Sequence, residues 1–113
     1  MPSAVRDEAV RQVASFCERR VPVDVRGELR LEHSVRGNRV TFERRPPWSQ
    51  LVGPEWTSMN VAQLRYDEGS GSWTLYAADR SDRWFLYDDV SPTRDVGTLL
   101  AEVDEDPTAI FWG

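Results

Sequence analysis

The sequence predicts a single α+β domain spanning residues 1–113, a five-stranded antiparallel β-meander with one helix at the N-terminus and one at the C-terminus. A segment near each end of the chain repeats apolar residues at helical spacing. Five short runs between them are rich in branched and aromatic residues and are separated by turn formers. A chain of 113 residues is long enough to bury a core without disulfide or metal support.

Both predicted helices are amphipathic. The first runs from Ser3 to about Arg20, with apolar residues on one broad face. The second is expected to begin with Ser91 as its N-cap and Pro92 in the first helical position, and to end near Asp106. Its apolar residues fall at positions i, i+3, i+4 and i+7, namely Val96, Leu99, Leu100 and Val103. The apolar stripes of both helices should therefore cover the same face of the sheet, the one that holds Trp73.

The five strands are predicted at Glu28–Val35, Arg39–Arg45, Val61–Tyr66, Trp73–Ala77 and Arg83–Tyr87. Short connections rich in Gly, Asn, Asp and Ser join most of them, as expected of tight turns between neighbouring strands. The exception is residues 46–56, PPWSQLVGPEW, whose prolines exclude a regular element. Its two tryptophans indicate a loop that folds back over a sheet face.

The last two strands form the most aromatic hairpin in the chain. Pairing of Ala78 with Arg83 across the turn would divide its side chains between two apolar faces, because side chains alternate along a strand. The first face would hold Trp73, Leu75, Ala77, Trp84 and Leu86, and the second Thr74, Tyr76, Phe85 and Tyr87. The second face is either covered by the Trp48–Trp56 loop or the apolar tail of residues 109–113, or is exposed as a contact surface. The tail itself is expected to dock on the core or on a neighbour.

Composition excludes several classes of function. All fourteen basic residues are arginine, so no Schiff-base lysine and no phosphate-binding P-loop lysine exist in this chain. A net charge of −5 opposes non-specific binding to nucleic acid or an anionic membrane. No apolar run approaches the about 20 residues of a membrane span, and the charged N-terminus does not resemble a signal peptide. A cytoplasmic bacterial protein is the expectation.

Residues with catalytic potential do not form a recognisable set. His33 is the only histidine and lies in register with apolar strand residues, whereas Cys17 lies on the apolar face of the first helix. Both are expected to be structural. The paired carboxylates fall in predicted turns and helix ends, where Asp caps backbone amides. No catalytic residue, cofactor or metal site is therefore predicted.

Several segments together resemble a known family. They are the stretch from FCERRVPVDVRGEL to RRPPW, then GPEWT, LRYD, WTLY and RWFLYDD, and the ending LLAEVDEDPTAIFWG. The chain is similar over its whole length to the bacterial family called domain of unknown function 3024. The resemblance implies one intact small domain that includes the apolar tail. It implies no activity, cofactor or catalytic residue.

The remaining signal is the mixture of arginine and aromatic residues on or beside the predicted sheet. The predicted partner-binding residues are Trp48, Arg65, Tyr76, Arg83, Phe85 and Tyr87. Such residues are enriched at protein interfaces, which favours a non-enzymatic domain acting through protein contacts or self-association, including a homodimer. The alternative is single-stranded nucleic-acid binding, in which bases stack on the rings.

Overall fold

The computed structural model describes residues 1–20, 30–45 and 59–112. Its elements in chain order are α1 (Ser3–Arg20), β1 (Arg30–Arg36), β2 (Arg39–Arg45), β3 (Met59–Asp67), β4 (Ser72–Ala78), β5 (Trp84–Leu86) and α2 (Val96–Glu105). The five strands form one sheet in the order β1-β2-β3-β4-β5, and every neighbouring pair is antiparallel. The predicted α+β fold is confirmed: one helix precedes the five-stranded antiparallel meander in the chain and one helix follows it.

Helix α1 packs its apolar stripe against the sheet. Ala9, Val13, Phe16 and Cys17 are all buried, and they recur at the three- and four-residue spacing of one helical face. The Phe16 ring meets the Phe42 ring of β2 edge-on, with centroids 5.8 Å apart. Arg19 and Arg20 end the helix, where positive charge favours the negative end of the helix dipole.

The sheet presents one continuous apolar face to the helices. Val40 lies beside Leu64 and Leu64 beside Leu75 across three strands, and none of the three is exposed. Tyr66 and Trp73 pair at the end of the same face, with ring centroids 5.1 Å apart. Because successive side chains alternate between faces, the helix-facing residues of β2, β3 and β4 are fixed by this register. This face, α1 and α2 enclose the core.

The β4–β5 hairpin differs from the predicted one by a single residue. Ala78 pairs with Trp84 rather than with Arg83, so Ala77 lies opposite Phe85 and Tyr76 opposite Leu86. A shift of one residue moves every side chain of the second strand to the other face. The predicted grouping of Trp84 and Leu86 with Trp73, and of Phe85 and Tyr87 with Tyr76, is therefore wrong.

The hairpin connection explains the shift. The Asp79 carboxylate accepts hydrogen bonds from the amides of Ser81 (2.8 Å) and Arg83 (2.9 Å), and Asp82 adopts a positive φ of 63°. These contacts hold residues 79–83 as a five-residue connection, in which Arg83 belongs to the turn. Asp tolerates the left-handed conformation and caps nearby amides, so the sequence DRSDR stabilises a longer turn than the expected one.

Helix α2 also begins later than predicted. Ser91 and Pro92 are not its start, because the next residue, Thr93, pairs with Trp73 of β4 through two backbone hydrogen bonds of 2.7 and 3.0 Å. Asp95 is the N-cap, and its carboxylate accepts a hydrogen bond from the Gly97 amide at 3.0 Å. The four apolar residues predicted for this helix are all buried.

The C-terminal tail docks on the chain's own core. Asp106 ends α2 in the left-handed conformation, and its carboxylate accepts hydrogen bonds from the amides of Phe111 (3.1 Å) and Trp112 (2.9 Å). Phe111 is only 5% exposed, and the Trp112 indole donates to the Val103 carbonyl at 2.7 Å. One carboxylate therefore turns the chain back and places an aromatic ring in the core.

Candidate functional site

The exposed apolar residues of the described chain converge on strand β5. Among the residues that the structure describes, the large hydrophobic side chains with the highest exposure are Leu86 (52%), Ile110 (39%) and Phe85 (38%). All three line one groove of about 230 Å³, together with Tyr87, Asp88, Asp89 and Thr108. We call Trp84–Leu86 together with Ile110 the β5 surface. Scattered exposed apolar residues are ordinary, whereas a contiguous group marks a contact site.

Strand β5 is also an edge of the described sheet, and its backbone groups have a defined direction. The Tyr87 amide donates to the Leu75 carbonyl at 3.0 Å, and the Asp79 amide to the Arg83 carbonyl at 2.8 Å. In an antiparallel ladder, hydrogen-bonded pairs alternate with non-hydrogen-bonded pairs. Phe85 therefore bonds to β4, and the N–H and C=O groups of Trp84 and Leu86 point away from it. With respect to residues 1–20, 30–45 and 59–112, the edge presents two donors and two acceptors.

The opposite edge of the sheet has a different character. Strand β1 reads RLEHSVR, and its exposed residues are Glu32, Ser34 and Arg36. Charged side chains on an edge strand discourage pairing with another chain. Strand β5 contains only Trp, Phe and Leu, so it lacks that protection. The apolar edge is the unusual one.

Two of the predicted contact residues, Arg65 and Tyr76, lie together on the sheet face turned away from the helices. The Arg65 guanidinium carbon is 3.8 Å from the centroid of the Tyr76 ring, and Arg65 Nε donates to Gln63 Oε1 at 2.6 Å. Gln63, which is 5% exposed, donates in turn to Thr41 Oγ1 at 2.9 Å. Arg65 therefore covers one face of the Tyr76 ring, and its Nε–H group is used in a hydrogen bond to the neutral Gln63 side chain.

Tyr87, another predicted contact residue, is part of the core. It is 5% exposed, its ring lies 5.0 Å from that of Phe111, and its hydroxyl donates to Glu102 Oε2 at 2.6 Å. Burial raises the pKa of Tyr87, and so does the hydrogen bond it donates to Glu102. The side chain connects the end of β5 to α2 through this hydrogen bond. Only its small exposed part borders the groove.

The six predicted contact residues therefore do not form one site. Phe85 lies on the helix-facing side of the sheet, opposite Ala77, whereas Arg65 and Tyr76 lie on the face away from the helices, where Tyr76 is opposite Leu86. Arg83 is exposed in the turn and pairs with Asp79 at 3.3 Å. Trp48, like the rest of the predicted covering loop of residues 46–56, lies outside the described residues.

Sequence reasoning missed Leu86 and Ile110 as contact residues. Leu86 was expected to share the Trp73 face, and it does not because of the one-residue change of register. Ile110 precedes two residues that are held by Asp106, so it is turned outward while Phe111 is turned inward. The acidic sequence DEDP at the end of α2 was the available signal that the chain turns back there, because Asp side chains accept hydrogen bonds from nearby backbone amides.

A second depression lies between the two helices, with a volume of about 470 Å³. Arg11, Arg19 and Arg20 lie along its rim. Arg11 binds the Glu8 carboxylate through two nitrogens at 2.5 and 3.1 Å, and Arg20 binds Asp104 at 2.8 Å. Arg20 also lies over the Trp112 ring at 4.5 Å. Two of the three guanidinium groups are therefore already paired with carboxylates, and the Arg20–Asp104 pair joins α1 to α2.

The residues with catalytic or metal-binding potential lie in the core, in strands or in turns. His33 is half-buried in β1 opposite Phe42, and Cys17 is 6% exposed on α1. Asp67 caps its own turn, accepting from the Gly69 amide and the Ser70 hydroxyl at 3.0 Å each. Within residues 1–20, 30–45 and 59–112, no three His, Cys, Asp or Glu side chains lie close enough together to hold a metal ion.

Burial of Cys17 raises the pKa of its thiol to about 12, from an ordinary value of 9.0. Between those pH values the thiol ionises in the unfolded chain before it ionises in the folded one, so folding stability should fall as pH rises. We expect the stability advantage of the natural chain over Cys17→Ala to shrink between pH 8 and pH 10. Urea unfolding followed by circular dichroism measures the stability of both proteins at each pH. A stability advantage that grows with pH would contradict a raised pKa for the Cys17 thiol.

The family model described as domain of unknown function, DUF3024, matches residues 1–113. The chain belongs to this family. No curated protein and no solved structure matches this DUF3024 domain. None of the helices among its described residues is long and apolar enough to cross a membrane.

Proposed function

We propose that this DUF3024 domain is a non-enzymatic module that acts through protein contacts, and that it self-associates through the β5 surface. The observation that carries the proposal is an exposed apolar groove at an edge strand without charged residues. Phe85 and Leu86 of that strand line the groove together with Ile110 of the tail. Exposed apolar patches and unprotected sheet edges are both features of protein interfaces. A cytoplasmic location belongs to the same proposal, supported by the single free cysteine, since cytosolic thiols stay reduced.

Single-stranded nucleic-acid binding has less support from the geometry. It would require exposed rings beside unoccupied guanidinium groups, because bases stack on the rings and phosphates bind the charge. Arg65 instead covers one face of the Tyr76 ring and is hydrogen-bonded to Gln63. The net charge of −5 also opposes approach of a polyanion.

The association should be weak. Three large side chains and a three-residue strand bury less surface than the interfaces of stable complexes. We expect a dissociation constant on the order of 100 µM, measurable by sedimentation velocity or light scattering between about 10 µM and 1 mM. A protein that stays monomeric throughout this range would overturn the proposal.

A charge on the β5 surface should strongly weaken the association. Leu86→Arg places a guanidinium group on a side chain that is 52% exposed, so the monomer should fold normally while the dimer loses at least about tenfold in affinity. The matched control is Ser34→Arg, which adds the same charge to an exposed position on the opposite edge. An equal loss in both variants would mean that the β5 surface is not the contact.

A further inference from the structure

We propose that the partner of β5 is β5 of a second copy, paired antiparallel about a two-fold axis at Phe85. The two sheets would then join into one continuous sheet of ten strands. The inference rests on the proposed self-association and specifies which segments touch and in which register. It follows from the direction of four backbone groups and from the symmetry that a pair of identical strands requires.

The backbone argument starts from the open edge. Phe85 bonds to β4, whereas the N–H and C=O groups of Trp84 and Leu86 point outward, as the bonds at Asp79 and Tyr87 establish. With the axis at Phe85, Trp84 of one copy lies opposite Leu86 of the other, and the reverse pair forms symmetrically. Each pair exchanges two hydrogen bonds, so four bonds form and every outward group of β5 is used.

Other registers satisfy fewer groups. An axis perpendicular to the sheet must place one residue opposite its own copy, because paired residues of antiparallel strands lie on the same face. An axis at Trp84 would bring Leu86 opposite Asp82, whose φ of 63° is not that of a strand. An axis at Leu86 would bring Trp84 opposite Asp88, which lies in a turn. Only Phe85 lies midway between the two outward-facing residues.

Side chains fit the same register. Phe85 would meet Phe85 of the second copy in a non-hydrogen-bonded pair, where facing side chains approach most closely. On the other face, each Trp84 ring would cover Leu86 of the second copy. The exposed Arg83, which also pairs with Asp79 of its own copy, would lie beside the Tyr87–Asp89 segment of the second copy, which carries two carboxylates. Apolar residues meet at the axis and opposite charges meet at the rim.

A disulfide across the axis tests the register. In the Phe85→Cys variant the two new cysteines face each other across the axis. Their Cα atoms should be about 4.5 to 5.5 Å apart, which is within the range for a disulfide. Oxidation of a concentrated solution with diamide should then give a covalent dimer. The control Ser81→Cys places its thiols about 25 Å apart in this arrangement and should stay monomeric. Cys17 is buried and is not expected to react.

A second pair of variants tests the backbone bonds without altering Phe85. Leu86→Pro removes an outward N–H that β4 does not use, and Leu86→Ala removes a similar part of the side chain while keeping that N–H. The proline variant should dimerise at least about fivefold more weakly than the alanine variant, with an unchanged monomer by circular dichroism.

The outcomes separate the inference from the proposal on which it rests. If the natural chain is monomeric at all concentrations, both fail. If it dimerises while Phe85→Cys also dimerises but forms no disulfide, self-association stands and the strand-pairing register is overturned. Equal affinities of the proline and alanine variants would likewise overturn backbone pairing.

Discussion

Replacement of Trp73 by alanine should lower the free energy of unfolding by about 4 kcal/mol, the upper range for removal of a large core side chain. Trp73 is 2% exposed and packs against Tyr66 at a centroid distance of 5.1 Å. The expected cost is high because a close-packed core relaxes only partly around the space that the indole leaves. Urea unfolding followed by circular dichroism, at a concentration below that of any dimer, measures the change.

Trp84→Ala is the matched control, since it removes the same side chain from the neighbouring strand of the hairpin. Trp84 is half-buried and lies on the face away from the helices, opposite Ala78. Its removal should cost less than about half as much, because less apolar surface is lost from the interior. Equal losses at the two positions would place both rings in the core, as pairing of Ala78 with Arg83 would require.

Phe111→Ala should be the second most destabilising change, costing about 3 to 4 kcal/mol. Phe111 is 5% exposed and its ring lies 5.0 Å from that of Tyr87, so the substitution opens a cavity between the tail, α2 and the end of β5. The same unfolding measurement applies. The loss of Tyr87 packing should also loosen β5, which faster amide exchange at Tyr87 would report.

The control for this change is the preceding residue of the tail. Ile110 is 39% exposed, so Ile110→Ala should cost about 1 kcal/mol or less in the monomer. Both variants alter the same tail, so a difference between their unfolding free energies reports the burial of the side chain and not its position in the chain. Comparable costs would show that the tail is held by Asp106 alone and that the ring of Phe111 contributes little.

Most elements of the fold could be predicted because their determinants are local. The apolar spacing around Val13 and Phe16 defines α1, and the Gly37 turn, with a φ of 58°, sets the β1–β2 register. Within the described residues, predicted and observed strands differ by at most two residues at their ends, as usual where ends depend on individual hydrogen bonds. The predicted start of the first strand, at residues 28–29, lies outside the described residues. Tail docking followed from the same logic, since a strongly apolar segment gains by burial.

The candidate site was harder to predict because it depends on one hydrogen-bonded turn. Whether Asp79 closes a four- or a five-residue connection decides which face receives Phe85 and which receives Leu86. The two choices place equally apolar residues on both faces, so hydrophobic patterning does not discriminate between them. The late start of α2 has a similar cause, since pairing of Thr93 with Trp73 is a contact between residues distant in sequence.

The unequal edges of the described sheet would also limit how far the proposed assembly could grow. A sheet that could accept a strand at both edges would add copies without end and form fibres. Here the exposed charged residues Glu32 and Arg36 of β1 discourage such addition, while β5 has no charged residue. In the proposed dimer, pairing through β5 would use the apolar edge of both copies at once. A domain built this way can join one partner and remain protected against filament formation.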